Sequence, residues 1–341
     1  MRICIVTRSD LFPTNHGAAV KIVETANSLA KLTKEPCFIA TMERDFYWKI
    51  CVDVEERPYS SKTRAMQEWV GIRSGTRFAE RICKRLGYPE EEFFLYSSQF
   101  DPAWLSRLVF IGLQEDIDVF QAEFPGYGLI SEFASRIIAW IRGGSKPTSS
   151  IVQHNVEWHR LQAFGQSVEW IQRMETLALR TVDEVIAVSQ EDKDVMVESG
   201  IDSSKITVIP HGVSLRTMST GVERANTWKK HWKLEALPLI LFFHGTLHYW
   251  PNTEAVRFIA TELIPQLERR NFEYQIVITG MNPPRYFSHE KILFTDAVDD
   301  LSGHIAMADI CICPLFAGGG TRLKLLEYMA AGKPIISTRK G

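Results

Sequence analysis

Residues 314–341, PLFAGGGTRLKLLEYMAAGKPIISTRKG, combine residue types that suit a negatively charged ligand. The tract contains a glycine turn without side chains that would block such a ligand: Gly318, Gly319 and Gly320. Thr321 is placed to cap a following helix, and Arg322 and Lys324 put two cations on its first turn. Cations there oppose the helix dipole, so a bound anion would compensate them. Because the free N–H groups of a first turn point outward, the tract predicts a phosphate-binding loop.

Glu327 follows one to two turns later in the same predicted helix. A carboxylate at this place could accept hydrogen bonds from the hydroxyls of a ribose. The tract is not a Walker A loop, because Gly332 and Lys333 are followed by Pro334. No GxGxxG follows the first predicted strand either, which disfavours a nicotinamide or flavin dehydrogenase. The alternative to a phosphate-binding loop is an ordinary glycine-rich turn, in which the start of the helix and Glu327 are simply solvated.

His154 is a second candidate, because it comes directly after a predicted buried strand. At the carboxyl end of a strand its ring could exchange hydrogen bonds with a substrate hydroxyl. A histidine satisfied by neighbouring backbone is the alternative. His16 and Gly17, at the end of the first loop, make a similar but weaker case, with Gly17 opening the first helix and its N–H facing the ligand.

These residues must be positioned by the strands and helices around them. The strands and helices alternate along the chain, and this alternation predicts an α/β fold with two doubly wound halves. Short apolar runs predict buried strands at 2–7, 36–40, 118–122, 149–153, 184–188, 206–209, 239–243, 274–279, 292–294 and 309–313. Helical spacing is found at 18–32, 129–141, 158–181, 190–198, 253–267 and 299–307. Ligands of such sheets bind beyond the carboxyl ends of the strands. The loops at these ends also contain Gly245, Thr246, Gly280 and Val298.

The length of 341 residues favours two domains. We predict a first domain at 1–213, a polar linker with a helix at 214–236, and a second domain at 237–341. Two such domains facing each other would form a cleft. Helices are expected in 43–110, either as an ordinary insertion with solvated basic faces or as a patch facing a membrane or an acceptor.

Composition excludes several classes of protein. A net charge of −2 gives no general case for nucleic-acid binding. The six cysteines form no CxxC pair, which fits a reduced, cytoplasmic setting without a disulfide framework or a zinc site. The start of the chain does not read as a signal peptide, and no apolar run reaches the roughly 18 residues needed to span a bilayer. We expect no metal site and no bound cofactor.

These motifs together resemble the GT-B glycosyltransferases, in the large retaining group 1 or family 4-like class. The resemblance covers nearly the whole chain, and the order and spacing of the motifs make it specific. In the first half it rests on strand 2–7 with the Gly17 loop, QHNVE at 153–157, DEVIAVS at 183–189 and VIPHGV at 208–213. In the second half it rests on GTL at 245–247 with Tyr249, Pro251 and Asn252, on 309–314 and on 318–332.

The resemblance implies two Rossmann-like domains, with a nucleoside-diphosphate sugar as donor substrate in the second and an acceptor in the first. It implies a donor-ribose role for Glu327, a place near the transferred sugar for His154, and acceptor contacts for His16, Gly17 and Asn155. The acceptor would be a glycan, a lipid-linked molecule or a small molecule. The implied setting is polysaccharide synthesis in the cytoplasm, with peripheral contact at the inner membrane face left open.

The chain departs from the family pattern in two ways. The first glutamate of the E-x7-E motif would fall at Gly319, and Thr246 and Asn252 stand where the family usually has Arg and Lys. We therefore expect Arg322 and Lys324 to bind the diphosphate. Family members usually continue past Gly341, so the second domain is expected to be incomplete. A non-catalytic remnant that binds nucleotide sugar, or a sugar-nucleotide epimerase, remains an alternative.

Overall fold

The computed structural model describes residues 1–7, 11–12, 17–41, 44–51, 53–59, 81–82, 84–85, 101–162, 168–317 and 321–341. The chain divides into two units, one ending at Pro210 and the other running from His211 to Gly341. Each unit is built on its own sheet. Within these described ranges, no helix is both long and apolar enough to span a bilayer.

The first unit has an eight-stranded sheet in the order β4-β3-β2-β1-β5-β6-β7-β8. Its strands are β1 Ile3–Thr7, β2 Cys37–Thr41, β3 Phe46–Ile50, β4 Val54–Pro58, β5 Val119–Ala122, β6 Thr148–Gln153, β7 Glu184–Ala187 and β8 Ile206–Val208. The six strands β2-β1-β5-β6-β7-β8 all pair in parallel with their neighbours in this order. Every residue of β1 and β2 is buried, as expected for strands covered by helices on both faces.

Several helix ends of the first unit lie at recognisable sequence signals. They are α1 Gly17–Thr33, α2 Pro102–Gln114, α3 Gly128–Arg142, α4 Glu157–Gln162, α5 Glu169–Thr181 and α6 Gln190–Glu198. Asp101 and Ser189 cap α2 and α6 by accepting backbone N–H bonds. Gly143, with φ +63°, ends α3 in the left-handed conformation. These signals lie in the sequence itself, so the predicted strand–helix alternation is confirmed here.

The expectation of helices in 43–110 is wrong for its first described part. Strands β3 and β4 form an antiparallel hairpin that extends the sheet beyond β2. On β3, Tyr47, Trp48 and Ile50 are buried, and aromatic and β-branched residues suit a pleated surface. All of β4 is exposed, and its charges and Pro58 suit an edge strand that must not pair further. Residues 60–80 and 86–100 lie outside the described part.

The second unit has a five-stranded, all-parallel sheet in the order β11-β10-β9-β12-β13. Its strands are β9 Ile240–His244, β10 Gln275–Thr279, β11 Ile292–Asp296, β12 Ile310–Cys313 and β13 Ile335–Ser337. Its helices are α7 Leu215–His231, α8 Trp250–Phe258, α9 Ile264–Glu268, α10 Leu301–Met307 and α11 Leu323–Ala330, with a π-helical turn Ile259–Leu263 between α8 and α9. Both units are thus Rossmann-like, as predicted.

Helix α7 occupies most of the segment described above as a polar linker, and it packs on α10 of the second unit. Arg224 and Trp228 of α7 donate hydrogen bonds to the carboxylate of Asp300, which caps α10. The two helices approach closely at Gly221, where an added Cβ would lie 2.4 Å from the carbonyl oxygen of Ser302. The helix therefore forms part of the scaffold of the second sheet.

Candidate functional site

The strand order of each sheet reverses at one point. In the first sheet this point lies between β1 and β5, and in the second it lies between β9 and β12. Doubly wound sheets bind ligands at the carboxyl ends of the strands beside such a point. In each unit, the polar residues described below gather at this edge.

Backbone strain occurs at the same edges. Three described non-glycine residues with positive φ lie at or just after the carboxyl end of a strand: Phe124, Asn282 and Asp296. The other four follow helix ends, where a left-handed residue is common: Lys34, Asp116, Lys233 and Asn271. Strained residues at strand ends tend to accompany functional sites, because the surrounding structure must hold them there.

Lys324, near the start of α11, reaches back over the carboxyl end of β9. Its Nζ donates to Oδ1 of Asn252 at 2.9 Å and lies 4.2 Å from the centroid of the Phe243 ring. Asn252 in turn donates from Nδ2 to the carbonyl oxygen of Thr246 at 2.9 Å. The amine is therefore held between the first turn of α8, which supplies a neutral acceptor, and the aromatic ring of Phe243 on β9.

The surroundings of Lys324 destabilise its charge. Burial lowers the pKa of Lys324 to about 8, and the charge of Arg322 adds to this effect, whereas Cys313 and Glu327 act in the opposite direction. A bound anion would add negative charge beside the amine and favour its charged form. The amine is thus suited to a phosphate group.

Glu327 lies one turn after Lys324 and faces the last residue of β9. Its Oε2 is 3.1 Å from Nε2 of His244, a buried atom that has no hydrogen bond of good geometry among the described residues. Burial alone would raise the pKa of Glu327, but the adjacent His244 and Lys324 outweigh it and bring the pKa below its ordinary value. The carboxylate is therefore ionised at neutral pH and able to accept hydrogen bonds from hydroxyl groups.

Two glycines allow the loops after β9 and β10 to pack closely. Gly280 has φ +149°, and a Cβ there would lie 1.8 Å from the carbonyl oxygen of Gly245. The N–H of Gly280 donates to the carbonyl oxygen of Asp296 at 2.9 Å, and the N–H of Gly245 donates to the carbonyl oxygen of Thr279 at 3.0 Å. Only glycine fits at position 280, because any side chain would push the two loops apart.

The start of α11 differs from the predicted one. Thr321 was expected to cap the helix, but the N-cap is Arg322, which makes no side-chain capping bond and has an extended ψ of 87°. Arg322 therefore lies before the helix, and its Nε donates to the carbonyl oxygen of Lys340 at 3.1 Å. Lys324 remains in the first turn, as expected.

The other second-unit predictions are less fully defined. Val298 is half-buried directly after β11, at the expected edge. Thr246 contributes its carbonyl oxygen to the Asn252 contact. The predictions for Gly318, Gly319 and Gly320 lie outside the described residues.

In the first unit, a buried carboxylate joins three elements at the carboxyl edge. Glu123, directly after β5, is 0% exposed. Its Oε2 lies 2.7 Å from Nζ of Lys21 on α1 and 2.7 Å from Nε2 of His154 after β6. Its Oε1 accepts a bond from the side-chain amide of Gln121 at 2.8 Å. The imidazole of His154 is therefore held by a buried carboxylate.

Burial alone would raise the pKa of Glu123, but His154 and Lys21 outweigh it and lower the pKa to about 2. An ionised carboxylate only accepts hydrogen bonds, so Nε2 of His154 carries the donated proton. The Phe124 ring covers the imidazole at a centroid distance of 4.7 Å.

A second buried carboxylate supports the loop that carries His154. Glu175, on α5, accepts the backbone N–H groups of Glu157 at 3.0 Å and of Trp158 at 2.9 Å, together with the side-chain amide of Gln153. That amide also donates to the carbonyl oxygen of Asn155. These bonds fix the segment on both sides of His154. Asn155 therefore lies in a constrained position, and its predicted acceptor role stays a prediction.

Replacing Glu157 with glutamine should stabilise the protein more at pH 8.5 than at pH 5. Burial and the Glu157 carboxylate raise the pKa of Glu175 from 4.5 to about 8. Because folded Glu175 holds its proton more tightly than the unfolded chain does, the free energy of unfolding falls as pH rises through this interval. Removing the negative charge of Glu157 should raise the free energy of unfolding at pH 8.5 by about 1 kcal/mol, as measured by urea denaturation.

The matched control for this prediction is Glu169→Gln on the exposed face of α5, which should change stability equally at both pH values. An equal effect of Glu157→Gln at pH 5 and pH 8.5 would contradict the assigned coupling between Glu157 and Glu175.

The sequence analysis missed three of these residues. Glu123 directly follows a predicted strand, so the rule that singled out His154 would also have found it. His244 is the last residue of β9, one residue beyond the predicted strand 239–243. Lys21 lies within a helix and carries no local signal. Gly17 is the first residue of α1, and His16 lies outside the described residues.

In the part of the chain that the structure describes, no three or more His, Cys, Asp or Glu side chains group as a metal site requires. The candidate sites are instead built from single lysines, carboxylates and histidines at strand ends. Such groups can bind an anion and a polyhydroxylated ligand directly.

Several solved structures superpose on the whole length of this chain. HepE from Anabaena, crystallised with UDP-glucose, superposes with a TM-score of 0.64 at 13% identity, over 100% of this chain and 81% of that one. Sucrose-phosphate synthase from Thermosynechococcus elongatus gives 0.62 at 14% identity, over 100% and 82%. The catalytic domain of starch synthase IV from Arabidopsis thaliana, bound to ADP and acarbose, gives 0.62 at 12% identity, over 100% and 83%. At these identities the likeness shows the fold, GT-B with two Rossmann-like units.

Two family models match the sequence itself. The model for glycosyl transferases group 1 matches residues 238–341, and the model for glycosyltransferase family 4 matches residues 72–217. No curated protein sequence matches the chain. Because the two matches together span most of both units, the chain belongs to the group 1, family 4-like glycosyltransferases.

Proposed function

We propose that the protein transfers a sugar, with retention of configuration, from a nucleoside-diphosphate sugar to a glycan, lipid-linked or small-molecule acceptor. The observation that carries this proposal is the placement of Lys324 and Glu327 one turn apart on α11, at the switch point of the second sheet. A cation and a carboxylate one helical turn apart match a diphosphate and the ribose attached to it. HepE, a structural neighbour of this fold, was solved with UDP-glucose, UDP, and UDP with glucose.

In this proposal the second unit stabilises the leaving group. As the bond between the sugar and the diphosphate breaks, negative charge develops on the diphosphate oxygens. Lys324, held by Asn252, and Arg322, at the N-cap of α11, would meet that charge without having to reorganise. No metal ion is needed for this step in the proposal, because the two side chains supply the positive charge.

The first unit would hold the acceptor. His154 would contact the transferred sugar, and Gly17, His16 and Asn155 would lie near the acceptor. We further propose a role in polysaccharide or glycoconjugate synthesis in the cytoplasm, with a peripheral contact at the inner membrane face for a lipid-linked acceptor.

The test is a binding and turnover panel on the purified full chain. Isothermal titration with UDP, GDP and ADP should give one clearly preferred base. The corresponding nucleotide sugars should then release the diphosphate, and faster when candidate acceptors are added. No detectable binding of any nucleotide would contradict the proposal.

A second candidate is a nucleotide-sugar-binding protein without transferase activity. It is favoured by Gly319, which stands where the family carries a carboxylate for the donor hexose. Tight nucleotide binding without release of diphosphate from any nucleotide sugar would support this candidate. Conversion of the donor sugar without an acceptor would instead indicate an epimerase.

A further inference from the structure

Phe124 has a backbone conformation that its residue type rarely adopts. Its φ is +140° and its ψ is 152°, a region populated almost only by glycine. The next residue is Pro125, which itself favours an extended conformation with negative φ for the residue before it. Phe124 is also the one bulky side chain among the positive-φ residues of the described part. Such a conformation persists only where its surroundings enforce it.

The strain changes the direction in which Phe124 points. In a regular strand, successive side chains point to opposite faces, so Glu123 and Phe124 would diverge. With the observed φ, both side chains instead reach the same imidazole. Glu123 accepts the Nε2 proton of His154 at 2.7 Å, and the Phe124 ring lies 4.7 Å from the imidazole centroid at an interplanar angle of 40°.

The two contacts fix different degrees of freedom of the ring. The hydrogen bond to Glu123 sets the position of the imidazole edge, and the Phe124 ring blocks rotation of its plane. Both holders are themselves fixed: Glu123 by Lys21 and Gln121, and Phe124 by the Tyr127 ring at 6.4 Å. The side chain of His154 keeps 13% exposure, so the ring is held but not sealed off.

We propose that Glu123 and Phe124 are positioning residues that hold His154 in the one orientation that sugar transfer requires. This inference rests on the proposed function, in which His154 meets the transferred sugar. It assigns the strained backbone of Phe124 to that purpose, because a regular continuation of β5 would turn the Phe124 ring away from the imidazole.

The first test needs no substrate. Long-range ¹H–¹⁵N spectra of the histidine side chains should show, for wild type, a slowly exchanging Nε2–H of His154, assigned by its loss in His154→Gln. In Phe124→Leu, which keeps an apolar side chain but removes the flat ring, that proton should exchange at least tenfold faster. In Glu123→Gln the signal should shift and broaden. Phe133→Leu, at an exposed position on α3, is the matched control and should leave it unchanged.

The second test uses the preferred nucleotide sugar from the panel above. Phe124→Leu should lower kcat for transfer about tenfold and leave the KM for the donor and the affinity for the free nucleotide unchanged. A purely structural role would lower the concentration of folded enzyme, which active-site titration with the nucleotide measures separately. Phe124→Gly, which relieves the strained φ, should be at least as stable as Phe124→Leu and equally slow.

The inference is overturned if Phe124→Leu folds and retains both the wild-type Nε2–H exchange rate and the wild-type kcat. If wild type turns over no nucleotide sugar, the proposed function fails, and the exchange rates alone still decide whether Phe124 and Glu123 hold the imidazole. The conservative Phe124→Leu change keeps the test valid even where Glu123→Gln, at a fully buried position, does not fold.

Discussion

Replacing Lys324 with methionine should weaken the affinity for the preferred nucleoside diphosphate about 10- to 100-fold, the range expected for one charge-assisted hydrogen bond. Methionine keeps an unbranched apolar side chain and removes the amine, which lies over the Phe243 ring and carries the charge. Asn252 would lose the donor at its Oδ1 but keep its own bond to the Thr246 carbonyl. The loss should therefore appear in binding rather than in folding, and isothermal titration measures it.

The pH profile makes this prediction specific to Lys324. Because its pKa lies at about 8, the amine of the free protein loses its proton as pH rises past this value. A diphosphate prefers the charged form, so wild-type affinity should fall between about pH 7 and pH 9.5, and binding near pH 8 should be accompanied by proton uptake. Lys324→Met should show neither effect. Lys230→Met, on the exposed face of α7, is the matched control.

A flat wild-type profile over this range would contradict the assignment of Lys324 to the diphosphate. An unchanged affinity in Lys324→Met would contradict it independently. Arg322 would then be the remaining cation at the start of α11, although its Nε already donates to Lys340.

Much of the fold could be predicted because its strands are short, continuous apolar runs. The predicted strand 2–7 corresponds to β1 Ile3–Thr7, and 239–243 corresponds to β9 Ile240–His244. The hairpin of β3 and β4 could not be predicted in this way. Its aromatic and charged residues show no clear period, and its place in the sheet is decided by pairing with β2 rather than by its own pattern.

The residues of the candidate site also differ in whether the sequence could predict them. Lys324 and Glu327 were found from the sequence because they lie one turn apart on a helix that follows a glycine turn. Their partners Asn252 and His244 lie far earlier in the chain, on α8 and β9, and become neighbours through the parallel pairing of β9 with β12. A local pattern can therefore suggest which residues act, but not the contacts that set their charge.

In the first unit, the partners of Glu123 and the backbone of Phe124 could not be predicted, for a different reason. The position of Glu123 was available from the rule for strand ends, yet its function depends on Lys21, 102 residues earlier, and His154, 31 residues later. The strained φ of Phe124 has no sequence signal, because the chain has phenylalanine where such a backbone normally requires glycine.

Replacing Glu327 with glutamine should abolish discrimination between ribose and dideoxyribose. If the carboxylate accepts hydrogen bonds from the ribose hydroxyls, wild type should bind the preferred nucleoside diphosphate about 10- to 100-fold more tightly than its 2′,3′-dideoxy form. Glu327→Gln should weaken the ribose form by a similar factor and leave the dideoxy form almost unaffected. Glu262→Gln, exposed in the π-helical turn, is the matched control.

The comparison of two ligands separates recognition from packing. Glutamine keeps the shape of Glu327 and can still contact His244, so general damage to the β9 edge would weaken both nucleotides equally. Loss confined to the ribose form assigns the hydroxyl contacts to the carboxylate. An equal loss for both forms, or normal affinity for both, would mean that the lowered pKa of Glu327 serves only its pairing with His244 and Lys324, and the ribose would have to be bound elsewhere along the carboxyl edge of the second sheet.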